Sequence, residues 1–279
     1  MHLWRLRGRD LPLGSRCLVM GIVNVTPDSF FDGGRFLQTD AAIAHGLELV
    51  HQGADLLDIG GESSRPGSHP VALDEELQRV VPVVTALAQQ TTVAISVDTS
   101  KAEVAAACLQ AGAHLVNDVT GLTGAAHMAE VVRDFSAGVI VMHMQGTPAT
   151  MQNAPRYDDV VTDLSCFFAE RLLSLTALGI PLDAIALDPG IGFGKTRGHN
   201  ITLLAQLAKF RALGRPVCLG VSRKGFLGNL LERPLEERLA GSLAAAAYAL
   251  AQDAVQILRV HDVAETRDLV RVWEVLRGV

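Results

Sequence analysis

Short apolar runs rich in β-branched residues alternate along this chain with longer stretches in which apolar residues recur every three or four positions. The runs are Cys17–Val25, Asp55–Gly60, Val93–Val97, His114–Val119, Gly138–Met144, Ala184–Leu187, Pro216–Val221 and Ala254–Val260. The helix-period stretches between them are Ala41–Gln52, Leu73–Gln89, Lys101–Ala111, Ala125–Phe135, Asp158–Leu178, Ile201–Leu213, Glu236–Ala251 and Val263–Leu276. Strands that are apolar at nearly every position are buried on both faces, as in a parallel sheet covered by helices. A strand–helix unit repeated this number of times closes into an α/β barrel of the (β/α)8 type. Closure is favoured over an open doubly wound sheet because no glycine-rich fingerprint follows the first run. The opening Leu3–Leu13, with Gly8-Arg9-Asp10 as its turn, predicts an N-terminal β-hairpin closing the bottom of the barrel. With no low-complexity tract or interdomain linker, residues 1–279 read as one domain. Asp40 and Thr99-Ser100 suit helix N-caps, and Gly53, Gly112, Gly179 and Gly214 fall where a helix end wants a left-handed residue.

Composition adds limits. With 49% apolar but only 5% aromatic residues, the core is aliphatic. The net charge is -6 and the Lys and Arg residues are scattered, so no basic stripe presents itself to nucleic acid. Cys17, Cys108, Cys166 and Cys218 form no CxxC pair and read as buried, reduced thiols. The first residues are too mixed for a signal peptide and no apolar run reaches membrane-spanning length, so a cytoplasmic protein without a membrane partner is expected.

In such a barrel, function gathers where strands end. The residues there are polar: Asn24, Glu62-Ser63-Ser64-Arg65, Asp98, Asn117-Asp118, His143, Asp188, Ser222-Arg223-Lys224, and Arg259 with His261. Singly each is a cap or loop residue. Collectively Asp98, Asn117 and Asp188 bring acceptors to one mouth, and Arg65, Arg223, Lys224, Arg259 and His261 bring cations. A ligand with a donor-rich edge at one end and an anion at the other would satisfy both sets. A carboxylate facing two adjacent N–H groups reads an amino-pyrimidinone edge, a task open to Asp188 or Asp98. The glycine-rich stretch 190–194 lets backbone approach a flat ligand, with Phe193 placed to lie against a ring, or else it is a flexible loop holding a buried Phe.

Familiar motifs fail. Pro189 stands where a P-loop before Gly194-Lys195-Thr196 needs glycine, and HExxH, GxSxG and GxGxxG are absent. The histidines lack transition-metal spacing, and a lone His143 on an apolar strand suits a hydrogen-bonded core position. A metal here would be Mg²⁺, carried in with pyrophosphate and touched by few protein oxygens, with Asn24 a candidate.

Gly21–Gly34 (GIVNVTPDSFFDGG), Asp58–Gly67 (DIGGESSRPG), Ser96–Lys101 (SVDTSK), Asn117–Val119 (NDV), Met142–Gly146 (MHMQG), Asp188–Thr196 (DPGIGFGKT), Ser222–Phe226 (SRKGF) and Arg259–Val263 (RVHDV) together resemble the dihydropteroate synthase family over essentially the whole chain. The resemblance implies a TIM barrel and a transferase of folate biosynthesis. Such an enzyme condenses p-aminobenzoate with 6-hydroxymethyl-7,8-dihydropterin pyrophosphate, and sulfonamides act on it as p-aminobenzoate mimics. It also implies residue roles. Asn24 would meet Mg²⁺ and pyrophosphate, while Asp98, Asn117, Asp188 and Lys224 hold the pterin. Arg259 and His261 would bind the departing pyrophosphate together with Arg65, and Arg259 would also pack on the pterin face. Ser64, Arg65, Pro66, Phe193 and Phe30 would form the p-aminobenzoate side. Lys224, Arg259, His261 and Asp98 are thus the catalytic candidates.

Two positions depart from the commoner pattern: Ser64 replaces Thr and keeps the hydroxyl, while Gly225 replaces Ser and removes a contact to the p-aminobenzoate carboxylate. Catalysis would rest on positioning and on charge stabilisation of the leaving pyrophosphate, with no covalent intermediate or dedicated base. A pterin-dependent methyltransferase module and a non-catalytic pterin-binding paralogue are the alternatives. Ser64-Arg65-Pro66 and the SRK loop speak against the first, and assay separates the second. The small-residue helix Arg238–Ala251 suits a homodimer contact as well as packing on the barrel.

Overall fold

The computed structural model describes residues 2–14, 16–26 and 35–278. The chain opens with an antiparallel hairpin, β1 (His2–Leu6) and β2 (Arg9–Leu13), turning at Arg7-Gly8 one residue earlier than the sequence suggested. The barrel strands are β3 (Leu18–Asn24), β4 (Leu56–Gly60), β5 (Ala94–Asp98), β6 (Leu115–Asp118), β7 (Gly138–Met142), β8 (Ile185–Asp188), β9 (Cys218–Leu219) and β10 (Ile257–Val260). They form a parallel sheet in the order β8-β7-β6-β5-β4-β3-β10-β9. A parallel bridge between Leu187 and Val217, with Leu187 N–H donating to Pro216 O at 2.9 Å, brings β8 to β9 and closes the barrel.

Helices cover the outside: α1 (Arg35–His51), α2 (Leu73–Gln90), α3 (Ala102–Gln110), α4 (Met128–Asp134), α5 (Val160–Ala177), α6 (Arg197–Ala205), α7 (Gly225–Leu231), α8 (Leu239–Ala251) and α9 (Val263–Arg277). The sixth predicted stretch is divided between α6 and a 3-10 helix, Leu207–Leu213, and α7 was not anticipated. Asp40 lies inside α1 and caps nothing. Lys101 holds the N-cap position of α3, and Thr99 Oγ1 accepts its N–H at 3.2 Å. Gly53, Gly112, Gly179 and Gly214 all have positive φ, as their places beyond helix ends require. Of the cysteines, Cys166 is exposed on α5, whereas the other three are buried.

The strands read as almost uniformly apolar because their two faces meet different apolar layers. Val19, Leu57, Ile95, Val116, Val139, Leu187 and Leu258 face the helices. Their alternating neighbours Leu18, Met20, Leu56, Ala94, Leu115, Ile140, Ala186, Cys218 and Ile257 fill the lower barrel with Trp4, Leu6, Leu11 and Leu13 of the hairpin. Trp4 is fully buried and donates its indole N–H to Ala184 O at 3.0 Å, fixing the hairpin as the floor.

Two residues further along five of the strands, the same inward column changes character. Above Leu56, Ala94, Leu115, Ala186 and Ile257 stand Asp58, Ser96, Asn117, Asp188 and Arg259. The period of two therefore carries the barrel interior from an aliphatic base to a charged upper layer.

Candidate active site

A narrow cavity, open to solvent, lies at the carboxyl ends of the strands. Asp98, Asn117, Asp188, Lys224 and Arg259 all line it, with Val119, Met142, Ile191 and Phe193 as apolar walls and Ser64 at the edge. Four strand ends and the loop after β9 thus deliver to one cavity the acceptors Asp98, Asn117 and Asp188 and, of the cations that the sequence placed at the same mouth, Lys224 and Arg259.

Arg259 organises the charge. Its Nε donates to Asp58 Oδ2 at 2.5 Å and its Nη2 to Asp98 Oδ2 at 2.6 Å, while Asn117 Nδ2 donates to the same Asp58 oxygen at 2.9 Å. Asp58 has no solvent exposure, and its Oδ1 has no hydrogen-bond partner among the described residues. One buried carboxylate thereby aims both a guanidinium and an amide into the cavity. Sequence reading assigned Asp58 no role; the available signal was a lone acid at an inward position of an apolar run. Burial pushes the Asp98 carboxyl above its ordinary value, with the Arg259 charge pulling the other way.

Asp188 is buried at the tip of β8 and accepts the Gly190 N–H through Oδ1 at 2.7 Å. Its pKa is raised by burial, opposed by that N–H and by Lys224. Gly190, which lines the cavity as expected, also has a packing role that it shares with Gly194. A Cβ on Gly190 would stand 2.0 Å from His143 O, and one on Gly194 would stand 2.3 Å from Gln145 O. Both have positive φ, so glycine is needed for the β8 loop to lie against the backbone after β7.

Lys195, only 2% exposed, pins this packing: its ammonium reaches His143 Nδ1 at 3.1 Å, His143 O at 3.1 Å and Phe193 O at 2.9 Å. Burial, reinforced by Lys224, lowers its pKa to about 7 against the pull of Asp188. His143 is a buried, neutral partner, its pKa lowered to about 3 by burial and the Lys195 charge, which matches the core role expected of it.

The loop after β9 is shaped by Arg223, which takes a left-handed φ of 56°. Its N–H donates to Ser242 Oγ at 2.8 Å and its carbonyl accepts Arg238 Nη1 at 3.2 Å, so α8 holds the strained turn that turns Lys224 inward. The Arg223 guanidinium is paired with Asp262, with Nε 2.9 Å from Oδ2, and is therefore not one of the cations facing the cavity. Lys224 Nζ lies 4.0 Å from the Phe193 ring centroid, a cation–π contact. Burial and the Arg259 charge lower its pKa from 10.5 to about 8, with Asp188 and Asp98 opposing.

His261 also differs from expectation. Its Nδ1 lies 3.0 Å from Ser222 Oγ, and that hydroxyl accepts the His261 N–H at 3.2 Å. Burial and the Arg259 and Arg223 charges lower its pKa to about 4, so it stands near the mouth as a neutral imidazole and not as a cation. Asn24 is half-buried at the tip of β3, Arg65 and Pro66 are exposed on the loop after β4, and Phe30 lies outside the described residues. Among the described residues no group of three His, Cys, Asp or Glu side chains is placed to hold a metal. A single amide oxygen at Asn24 suits a hard cation whose other ligands come from a substrate and water.

Residues 20–261 match the family model described as pterin binding enzyme. The chain is 48% identical over 256 residues to the dihydropteroate synthase of Escherichia coli (strain K12), covering 92% of this chain and 90% of that protein. The Yersinia pestis dihydropteroate synthase, solved as a sulfonamide drug complex, superposes with a TM-score of 0.93 at 46% identity over 99% of this chain and 100% of that one. The Xanthomonas albilineans dihydropteroate synthase, solved with 4-aminobenzoic acid, gives a TM-score of 0.93 at 47% identity over 99% of each chain. With the family model spanning the barrel and relatives this similar over nearly their whole length, the chain belongs to the dihydropteroate synthases, within the pterin-binding enzymes.

Proposed function

We propose that the cavity condenses p-aminobenzoate with 6-hydroxymethyl-7,8-dihydropterin pyrophosphate as follows. Asp188, Asp98 and Asn117 accept and donate along the pterin edge, and Lys224 holds the opposite side of the ring system at the carboxyl end of the barrel. Arg259 packs on the pterin face and, with His261, Arg65 and Asn24 at the rim, receives the pyrophosphate. The methylene–oxygen bond breaks with its electron pair leaving on pyrophosphate. The p-aminobenzoate nitrogen gives its lone pair to the methylene carbon and then loses a proton to solvent, yielding 7,8-dihydropteroate. An arylamine is already neutral near pH 7, so no residue need act as its base. Bound with pyrophosphate and touched by Asn24, Mg²⁺ would offset charge on the departing group. Ser64, Arg65 and Pro66, with Phe193 and Phe30, line the p-aminobenzoate side, where sulfonamides compete.

The observation that carries this reading is the convergence of Asp98, Asn117, Asp188, Lys224 and Arg259 on one cavity. Pyrophosphate release from the pterin substrate, measured with and without p-aminobenzoate, tests it. Release that depends on p-aminobenzoate and falls roughly a hundredfold in Lys224→Ala is expected. An unchanged rate in that variant would sink the assignment, and no release at all would favour a non-catalytic pterin-binding protein.

Two accompanying proposals concern context. We place the enzyme in the cytoplasm, where its free cysteines stay reduced. We also propose a homodimer through α7 and α8, where Leu230, Leu231 and Tyr248 are exposed beside the small residues Gly241, Ala244 and Ala245. A two-fold contact needs only one such patch per chain. Light scattering of Tyr248→Asp should show monomers where the parent shows dimers.

A further inference from the structure

A partly buried ion network beside the cavity has no part in the chemistry above. Lys101 Nζ donates to Glu62 and, at 2.5 Å, to Glu76 Oε2, while Glu76 Oε1 accepts the Thr99 hydroxyl at 2.7 Å. Glu76 is 1% exposed, and Lys101 and Glu62 each keep 24% of their side-chain surface. A single ammonium thus bridges two carboxylates from different elements, one on α2 and one just past β4. Such a network adds little net stability, because desolvating the charges offsets their attraction. Its effect is to fix relative positions.

The positions fixed are informative. Glu62 Oε2 also accepts the Val71 N–H at 3.2 Å, so a single carboxylate holds both ends of the 62–71 loop. Arg79 Nη1 adds a bond to Gly61 O at 2.7 Å at the same base. Between the clamped ends lie Ser64, Arg65 and Pro66, and further out Gly67 N–H meets Pro148 O at 3.1 Å. Lys101 itself ends the turn Asp98-Thr99-Ser100, whose Thr99 N–H donates to Asn117 O at 3.1 Å. The ammonium therefore ties the loop proposed to meet p-aminobenzoate to the turn that carries Asp98.

We propose that Lys101 and Glu62 are positioning residues for the p-aminobenzoate half of the site. The proposal rests on the assignment of Ser64 and Arg65 to p-aminobenzoate. Without the clamp the loop must be ordered each time that substrate binds, while Asp98 stays held by Arg259 and by the pairing of β5 with β6, so the pterin pocket keeps its shape. The two substrates should therefore respond differently, which a loss of general stability would not produce.

The test uses the full chain with Glu62→Gln, Lys101→Met, Lys101→Arg and Ser64→Ala. KM for each substrate and kcat come from pyrophosphate release, and affinity for a free pterin comes from calorimetry. Glu62→Gln and Lys101→Met should raise KM for p-aminobenzoate about tenfold, equivalent to about 1.4 kcal/mol, with pterin affinity changed less than about twofold. Lys101→Arg, whose fork can span both carboxylates, should restore most of the loss. Ser64→Ala should also raise that KM. If Ser64→Ala raises it and the network variants do not, the positioning proposal is overturned while the half-site assignment stands. If none of the variants moves it, both fall. Equal weakening of pterin and p-aminobenzoate binding would make the network a mere fold anchor and overturn the proposal. Should Lys101→Met fail to fold, Glu62→Gln, which keeps its shape and the Val71 bond, decides the matter.

Discussion

Replacing Arg259 with Ala should cost both activity and stability, whereas replacing Lys224 with Ala should cost activity alone. In Arg259→Ala the carboxylates of Asp58, with no exposed surface, and Asp98, with 14% of its side chain exposed, lose the cation between them. Breaking a buried pair in this way destabilises by about 3–5 kcal/mol. Lys224 makes no ion pair within 4 Å among the described residues, and its contact to Phe193 is a cation–π one, so its removal should change stability by about 1 kcal/mol or less. The pH dependence sharpens the distinction. Burial already holds the Asp98 pKa above its ordinary 3.8 with Arg259 opposing, and removing Arg259 raises it further. A folded-state acid pKa above the unfolded one means the folded chain binds the extra proton, so stability falls as pH rises through that interval and recovers as pH drops. The stability deficit of Arg259→Ala should therefore stay level below about pH 7, where Asp98 is protonated in both folded proteins, and grow above it by at most about 1.4 kcal/mol per pH unit as the parent's Asp98 ionises and the variant's does not. Urea unfolding of both variants and the parent on both sides of that pH, with pyrophosphate release on the same preparations, measures it. Equal stability losses in the two variants, or an Arg259→Ala deficit independent of pH, would refute the reasoning.

The alkaline limb of kcat/KM should lie near pH 8, because Lys224 loses its proton as pH rises through about 8; Lys224→Arg should remove that limb, and a limb that persists would locate it elsewhere. Lys195, lowered to about 7, has a folded pKa below its ordinary 10.5, so its burial cost is complete below pH 7 and fades toward pH 10.5. Lys195→Met should accordingly be most stable relative to the parent at acid pH and lose ground as pH rises, in thermal melts. Gly190→Ala should destabilise by about 3 kcal/mol or more, since its Cβ would meet His143 O at 2.0 Å in a left-handed backbone, as chemical denaturation would show. A Cβ on Gly225 meets nothing within 4 Å, so Gly225→Ser should leave stability within about 0.5 kcal/mol and lower KM for p-aminobenzoate.

The chain by itself determined the barrel. Its apolar runs are doubly buried strands, the intervening periods are helices, and turn glycines such as Gly53 and Gly179 punctuate both, all of which are local properties of sequence. It also named the strand-tip residues, because a polar group ending an apolar run is visible without coordinates. Interactions between distant parts of the chain were not legible. Asp58 lies 201 positions from Arg259, and its place as an acid within an apolar run marks it as unusual without naming its partner. Arg223 looked like a cation for the mouth until Asp262, brought over by the closing of β9 on β10, neutralised it. His261 looked cationic until burial among arginines removed its proton. The glycines after Asp188 were read as making room for a ligand, and the close packing of Gly190 and Gly194 on the chain after β7 was not visible. Charge state and pairing depend on which groups meet and how much water remains between them, and those are decided only when the strands close around a common axis.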